Sequence, residues 1–61
     1  MEWLNKKVRY IYTGFEGVVT GVAIYANGNQ SVLIEAVDRS GRPVELWTDV
    51  KSIEEVKEQE G

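Results

Sequence analysis

Short runs of β-branched and aromatic residues, each ended by a turn signal that contains glycine, constrain the fold of this chain most strongly. The signals are Thr13 with Gly14, Asn27 with Gly28, and Ser40 with Gly41. Asn-Gly supplies the positive φ angles of a type I′ hairpin, and Ser-Gly also suits a tight hairpin. Because no segment between the signals makes a convincing helix, the chain is predicted to be all-β.

The pattern predicts five short strands. We place them at residues 8–12, 18–25, 32–37, 44–48 and 53–56. Gly21, inside the second strand, predicts a bulge or a sharp bend. Residues 49–52 fit a single helical turn before the last strand.

The end of the chain has an alternative interpretation as a helix over residues 53–59. Asp49 or Ser52 could cap it, and Ser52 with Glu55 fits a capping box. Only Ile53 and Val56 are apolar, which is too thin a stripe to dock a long helix. We therefore predict a short strand followed by a frayed acidic tail over residues 57–61.

A sheet of short, strongly twisted strands must cover its edges, and closure into a small five-stranded barrel over residues 1–56 would do so. Period-two alternation then predicts the core. The candidates are Val8, Tyr10 or Ile11, Val18, Val22, Ile24, Val32, Ile34, Ala36, Val44, Leu46, Ile53 and Val56. A shift of one residue would turn the opposite set of side chains toward the core, and the sequence specifies this choice least in the first and third strands.

The composition argues against an enzyme. The chain has no Cys and no His, which excludes disulfides, thiolate nucleophiles, zinc-thiolate sites and the usual general base. Asp38, Glu45 and Asp49 lack the spacing of a metal-binding loop. We predict no catalytic residues, no cofactor and no metal.

The charge distribution gives one alternative function. Seven Lys and Arg residues against ten Asp and Glu residues give a net charge of -3, which does not suit a dedicated nucleic-acid binder. Lys6, Lys7 and Arg9 nevertheless cluster near the start and predict, as the alternative, weak binding of nucleic acid. No apolar stretch is long enough to span a membrane, so we expect a cytoplasmic protein without membrane contact.

Two neighbouring segments carry a resemblance to a known family: Lys7-Val8-Arg9 and, after a turn, Gly14-Phe15-Glu16-Gly17-Val18-Val19. They resemble the KOW motif of SH3-like barrels, although Gly21 departs from its usual glycine spacing. The resemblance implies a first loop at 13–17, a hairpin at 38–43 and a helical turn at 49–52. The chain is also similar to short uncharacterised barrel proteins of bacteria, phages and mobile elements.

A second resemblance concerns the predicted fourth strand. Val44-Glu45-Leu46-Trp47 is similar to the Val-Gln-Ile-Tyr pore segment of the type II dihydrofolate reductases, which are short SH3-like chains that tetramerise. Glu45 replaces the ligand-contacting glutamine, and a carboxylate repeated by symmetry would repel the phosphates of a nicotinamide cofactor. The resemblance leaves, as a further alternative, a small-ligand site at an oligomer axis.

The candidate site is an aromatic patch on the surface. If Val44 and Leu46 face the core, Glu45 and Trp47 face solvent. We predict Trp47, Phe15 and Tyr12 as contact anchors, with Glu45 beside them and Arg9 and Arg42 as a polar rim. The alternative, to which the sequence gives equal support, is that Trp47 lies under the first loop or under the acidic tail. The expected function is a non-catalytic binding or assembly module that self-associates or contacts a protein partner.

Overall fold

The computed structural model describes residues 3–57, which form five antiparallel strands and one 3₁₀ turn. The elements are β1 (Lys7–Tyr10), β2 (Glu16–Ile24), β3 (Gln30–Val37), β4 (Pro43–Asp49), the 3₁₀ turn (Val50–Ser52) and β5 (Ile53–Glu55). The all-β prediction and the predicted turn before the last strand are confirmed. In this part of the chain, no helix is long and apolar enough to cross a membrane.

The five strands form one open sheet in the order β4-β3-β2-β1-β5. Each strand pairs antiparallel with its neighbours, and β2 and β3, the longest, lie next to each other. Within residues 3–57, β4 and β5 are the two edges and do not pair with each other. The predicted closure into an SH3-like barrel is therefore not confirmed.

The turn of each of the three hairpins contains a glycine in the left-handed region of backbone conformation. Gly14, Gly28 and Gly41 have φ angles of 81°, 91° and 90°, values that residues with a side chain rarely adopt. These are the three glycines of the predicted turn signals, so the turns between β1 and β2, β2 and β3, and β3 and β4 are confirmed.

The turn between β2 and β3 differs in type from the prediction. The Tyr25 N–H donates to the Asn29 carbonyl, and the Gly28 N–H donates to the Tyr25 carbonyl. The loop therefore has three residues, with positive φ at Gly28 and not at Asn27. The type I′ prediction is wrong because the Asn27 side chain accepts from the Asn29 N–H and stabilises the longer loop instead.

A bulge interrupts β2, as Gly21 predicted. Val19 lies opposite Ile34, whereas Gly21 lies opposite Leu33, so Thr20 is the extra residue. Because of this extra residue, the alternation of inward-facing and outward-facing side chains shifts by one position after the bulge.

The bulge explains the main error in the predicted core. Val19 is fully buried, whereas Val18, which we expected inside, is 41% exposed. Beyond the bulge Val22 again packs against the core. Ile24, also expected inside, is exposed where β2 ends. The register error thus lies in the second strand, and not in the first or third.

The core lies on one side of the sheet and draws on four of the five strands. Its buried residues are Val8, Val19, Val32, Ile34 and Ile53. Around them pack the half-buried side chains of Trp3, Tyr10, Phe15, Val22, Leu46 and Val50. Of the two candidates Tyr10 and Ile11, only Tyr10 packs against the core, because Ile11 lies in the turn after β1 and is exposed.

The strand interpretation of the end of the chain is confirmed as far as Glu55. β5 pairs with β1, with Ile53 opposite Tyr10 and Glu55 opposite Val8. Of the predicted acidic tail over 57–61, only Lys57 is among the described residues, and the rest lies outside them.

Candidate functional site

Trp47 lies on the face of β4 that points away from the core. Val44 and Leu46 are half-buried on the inner side, whereas Glu45 and Trp47 point outward. Trp47 is 54% exposed. The alternation of β4 therefore places these side chains where the sequence predicted.

The indole of Trp47 is supported from below. Leu33 lies directly opposite Trp47 on β3, and Gly21 lies opposite Leu33 on β2. A Cβ atom at Gly21 would stand 3.4 Å from the Leu33 Cβ and 3.7 Å from the Trp47 Cη2. The ring thus extends across β3 as far as Gly21, so one side of it lies against the sheet while the other stays exposed to solvent.

Two carboxylates lie in the next row of the same face. Glu35 on β3 is directly opposite Glu45 on β4, and Thr20 Oγ1 donates a 2.6 Å hydrogen bond to Glu35. Neither carboxylate forms an ion pair with a cation in residues 3–57, and β3 and β4 themselves contain no Lys or Arg. Like charges directly opposite each other destabilise a sheet. We call the outer-face group Leu33, Glu35, Glu45 and Trp47 the Trp47 surface.

The Trp47 surface borders a free strand edge. The Asp38 N–H donates to the Arg42 carbonyl where the β3–β4 hairpin closes. Hydrogen-bonded pairs alternate along an antiparallel ladder, so Leu46 bonds to β3 while the backbone groups of Glu45 and Trp47 point to the open side of β4. Side chains and unpaired backbone groups of the same two residues are therefore available together.

The other two predicted anchors lie elsewhere. Phe15, predicted as a contact anchor, packs against the core instead. Tyr12 is 71% exposed in the turn after β1. Its ring packs edge-to-face with that of Tyr10, with the two ring centroids 5.4 Å apart. In the described part of the chain, no ring contact joins either residue to Trp47. The three predicted anchors do not form one aromatic patch.

Arg9 belongs to a network of charges on β1, β2 and β5. Its Nε donates to Glu16 at 3.0 Å and its Nη1 to Glu54 at 2.7 Å. The side-chain hydrogen bond with Glu16, followed by that with Glu54, raises the pKa of the Arg9 guanidinium. Lys6 also meets a carboxylate, that of Glu55, at 3.4 Å. Two of the three cations near the start are thus paired internally, which weakens the case for a basic surface that binds phosphates.

Arg42, the other predicted rim residue, lies in the β3–β4 hairpin. Its Nε donates to Ser40 Oγ at 3.1 Å. Asp38 organises the same hairpin, since its Oδ1 accepts from the Ser40 hydroxyl at 2.7 Å and from the Arg42 N–H at 2.9 Å. The bond from the Ser40 side chain, followed by that from the Arg42 backbone, lowers the pKa of Asp38. These hydrogen bonds stabilise the β3–β4 hairpin.

Sequence reasoning missed Leu33 and Glu35 as members of the surface. The signal was present: with Val32 and Ile34 facing the core, period two places Leu33 and Glu35 on the outer face. What the pattern does not give is the pairing register that sets them opposite Trp47 and Glu45.

In residues 3–57, no three His, Cys, Asp or Glu side chains come together as a metal site would require. No family model, curated protein or solved structure matches this chain.

Proposed function

We propose that this chain is a non-catalytic binding or assembly module that contacts another protein chain through the Trp47 surface. The observation that carries the proposal is a half-exposed indole that lies opposite Leu33 and reaches across the sheet to Gly21. A tryptophan held in place on a strand loses little side-chain entropy on binding, and Trp is enriched among the residues that dominate interface energies.

We also propose that the fold of this chain is related to the SH3-like barrels. The support is the meander order of the strands, the bulged β2 and the 3₁₀ turn that joins β4 to β5. The resemblance to short barrel proteins of bacteria, phages and mobile elements belongs to the same proposal.

Self-association is the second candidate function, because the free edge of β4 is a template for pairing with another strand. A twofold contact through the Trp47 surface would, however, bring Glu35 and Glu45 of both copies together. Like charges at an interface disfavour association, and this favours a different chain as the partner.

Site-specific photo-crosslinking tests the contact. Trp47→p-benzoylphenylalanine keeps an aromatic ring at the surface, and Tyr25→p-benzoylphenylalanine provides an equally exposed aromatic control in the β2–β3 loop. In extract of the cells that make the chain, we expect position 47 to give a discrete crosslinked product and position 25 to give none. The mass of the product distinguishes a second copy from another chain. No product at position 47, or equal products at both positions, would contradict the proposal.

A further inference from the structure

We infer that the free edge of β4 and the Trp47 surface together bind an extended segment of a different protein, in which Lys or Arg occupies alternate positions. The segment would add to the sheet as a strand next to β4. This inference rests on the proposed function and specifies the chemistry of the partner.

The edge provides the backbone part of the recognition. β4 pairs only with β3 within the described residues, and the backbone N–H and C=O groups of Glu45 and Trp47 point to its open side. An added strand would satisfy these groups with main-chain hydrogen bonds. Pro43, at the start of β4, has no N–H to offer, so pairing is expected from Glu45 onward.

The outer face provides the side-chain part. On an added strand, the residue opposite Trp47 has its side chain on the same face as the indole. A Lys or Arg there would place its cation against the exposed ring, with Glu45 as its diagonal neighbour. A cation over an indole face is attracted to the ring, and a carboxylate strengthens the contact.

The charge of the two strands selects this partner. β3 and β4 contribute Glu35, Glu45 and Asp49 and no cation, and Asp49 is engaged in capping the 3₁₀ turn. A basic segment would relieve the repulsion between Glu35 and Glu45, which face each other. A nucleic-acid strand would bring phosphates to these carboxylates, and a second copy would bring further carboxylates.

The test uses the full chain with Trp47 as reporter. Of the two tryptophans, Trp3 packs against the core, so Trp3→Phe leaves one tryptophan, at the surface. The first probe is a peptide of about eight residues, a length typical of a strand, in which Lys alternates with Thr. Two further peptides replace every Lys by Gln or by Glu, and the fourth probe is an oligothymidine. If Trp3→Phe fails to fold, ¹⁹F NMR of the wild-type chain labelled with 5-fluorotryptophan gives the same reading.

We expect the Lys peptide to change the Trp47 signal saturably and to bind at least about threefold more tightly than the Gln peptide, with the Glu peptide and oligothymidine silent. The affinity should fall as salt rises to about 0.5 M. Glu45→Gln should weaken binding by about threefold to tenfold. Glu55→Gln, which removes a carboxylate from the opposite edge strand, should leave binding unchanged.

The inference would be overturned if Trp47 did not respond to the Lys peptide at millimolar concentration, or if the Lys and Gln peptides bound with equal affinity. A larger loss of binding with Glu55→Gln than with Glu45→Gln would overturn it as well. A Trp47 response to oligothymidine would also overturn it and would favour a nucleic-acid partner. The crosslink at position 47 does not depend on the partner's charge, so the proposed contact function stands or falls separately.

Discussion

Trp47 of β4 lies directly opposite Leu33 of β3, and its ring extends over Leu33 toward Gly21 of β2. A single side chain thus contacts the outer face of two further strands. A Cβ at Gly21, where the β2 bulge ends, would stand at ordinary contact distance from the Trp47 Cη2, 3.7 Å. The residue that we propose as the contact site therefore lies beside the same irregularity that misled the prediction of the core.

Substitution by alanine should affect stability very differently at the two glycines of β2. A Cβ at the buried Gly17 would overlap the Glu35 carbonyl oxygen and stand 2.8 Å from the Ile34 Cγ2. Gly17→Ala should therefore cost about 2 kcal/mol or more in the free energy of unfolding. At Gly21 the nearest atoms are at ordinary contact distance, so Gly21→Ala should change stability by less than about 1 kcal/mol. Urea denaturation followed by circular dichroism measures both, and equal losses would contradict the packing described.

Removing one of two facing carboxylates should stabilise the protein. Glu45→Gln ends the repulsion with Glu35 and should raise the free energy of unfolding by about 0.2 to 1 kcal/mol at low salt. Glu55→Gln, which loses the exposed ion pair with Lys6, should lower it slightly or leave it unchanged. The measurement is urea denaturation at low and high salt, where the gain should shrink as salt rises. A loss of stability in Glu45→Gln would show that Glu45 has a stabilising partner.

Asp38 predicts a dependence of stability on pH. The Ser40 hydroxyl and the Arg42 N–H hold the pKa of Asp38 below its ordinary value, so the fold favours the ionised carboxylate. Its contribution is present above the unfolded pKa, about 3.9, and is lost as the pH falls through the lower folded pKa. Thermal melts should show Asp38→Ala less stable than wild type at pH 7, with the difference narrowing in acid. A difference that grows in acid would contradict this assignment.

The charges around Trp47 also predict the oligomeric state. Because two copies would oppose their Glu35 and Glu45 carboxylates, light scattering at low salt should give the mass of a monomer for wild type and for Trp47→Ala. A wild-type oligomer that dissociates in Trp47→Ala but persists in Tyr25→Ala would instead make the Trp47 surface an assembly surface. That result would favour self-association over a different partner.

Much of the fold follows from local signals. The glycines at 14, 28 and 41 locate the three hairpins because their backbone conformations suit few other residues. The 3₁₀ turn and β5 follow from the short apolar pattern at the end of the chain. The main error arises where strand pairing overrides the local pattern. The bulge at Thr20 breaks the regular alternation of β2, so that Val19 is buried and Val18 is exposed.

The candidate site was only partly predictable. Alternation along β4 is enough to place Glu45 and Trp47 on the surface. The positions of the Phe15 and Tyr12 side chains depend on how the turn between β1 and β2 folds over the sheet, and a periodic pattern does not encode this. Phe15 in fact packs against the core. The basic residues Lys6 and Arg9 looked free in the sequence because two of their partners, Glu55 and Glu54, lie more than forty positions away along the chain.

Amide hydrogen exchange at Glu45 and Trp47, measured by NMR with and without the Lys peptide, tests the central claim most directly. The two N–H groups point to the open side of β4, whereas the neighbouring Leu46 N–H already bonds to β3. Strand addition predicts that saturating peptide slows exchange at Glu45 and Trp47 by about tenfold or more and changes Leu46 little. Unchanged rates at Glu45 and Trp47, or slowing confined to β5, would contradict the account.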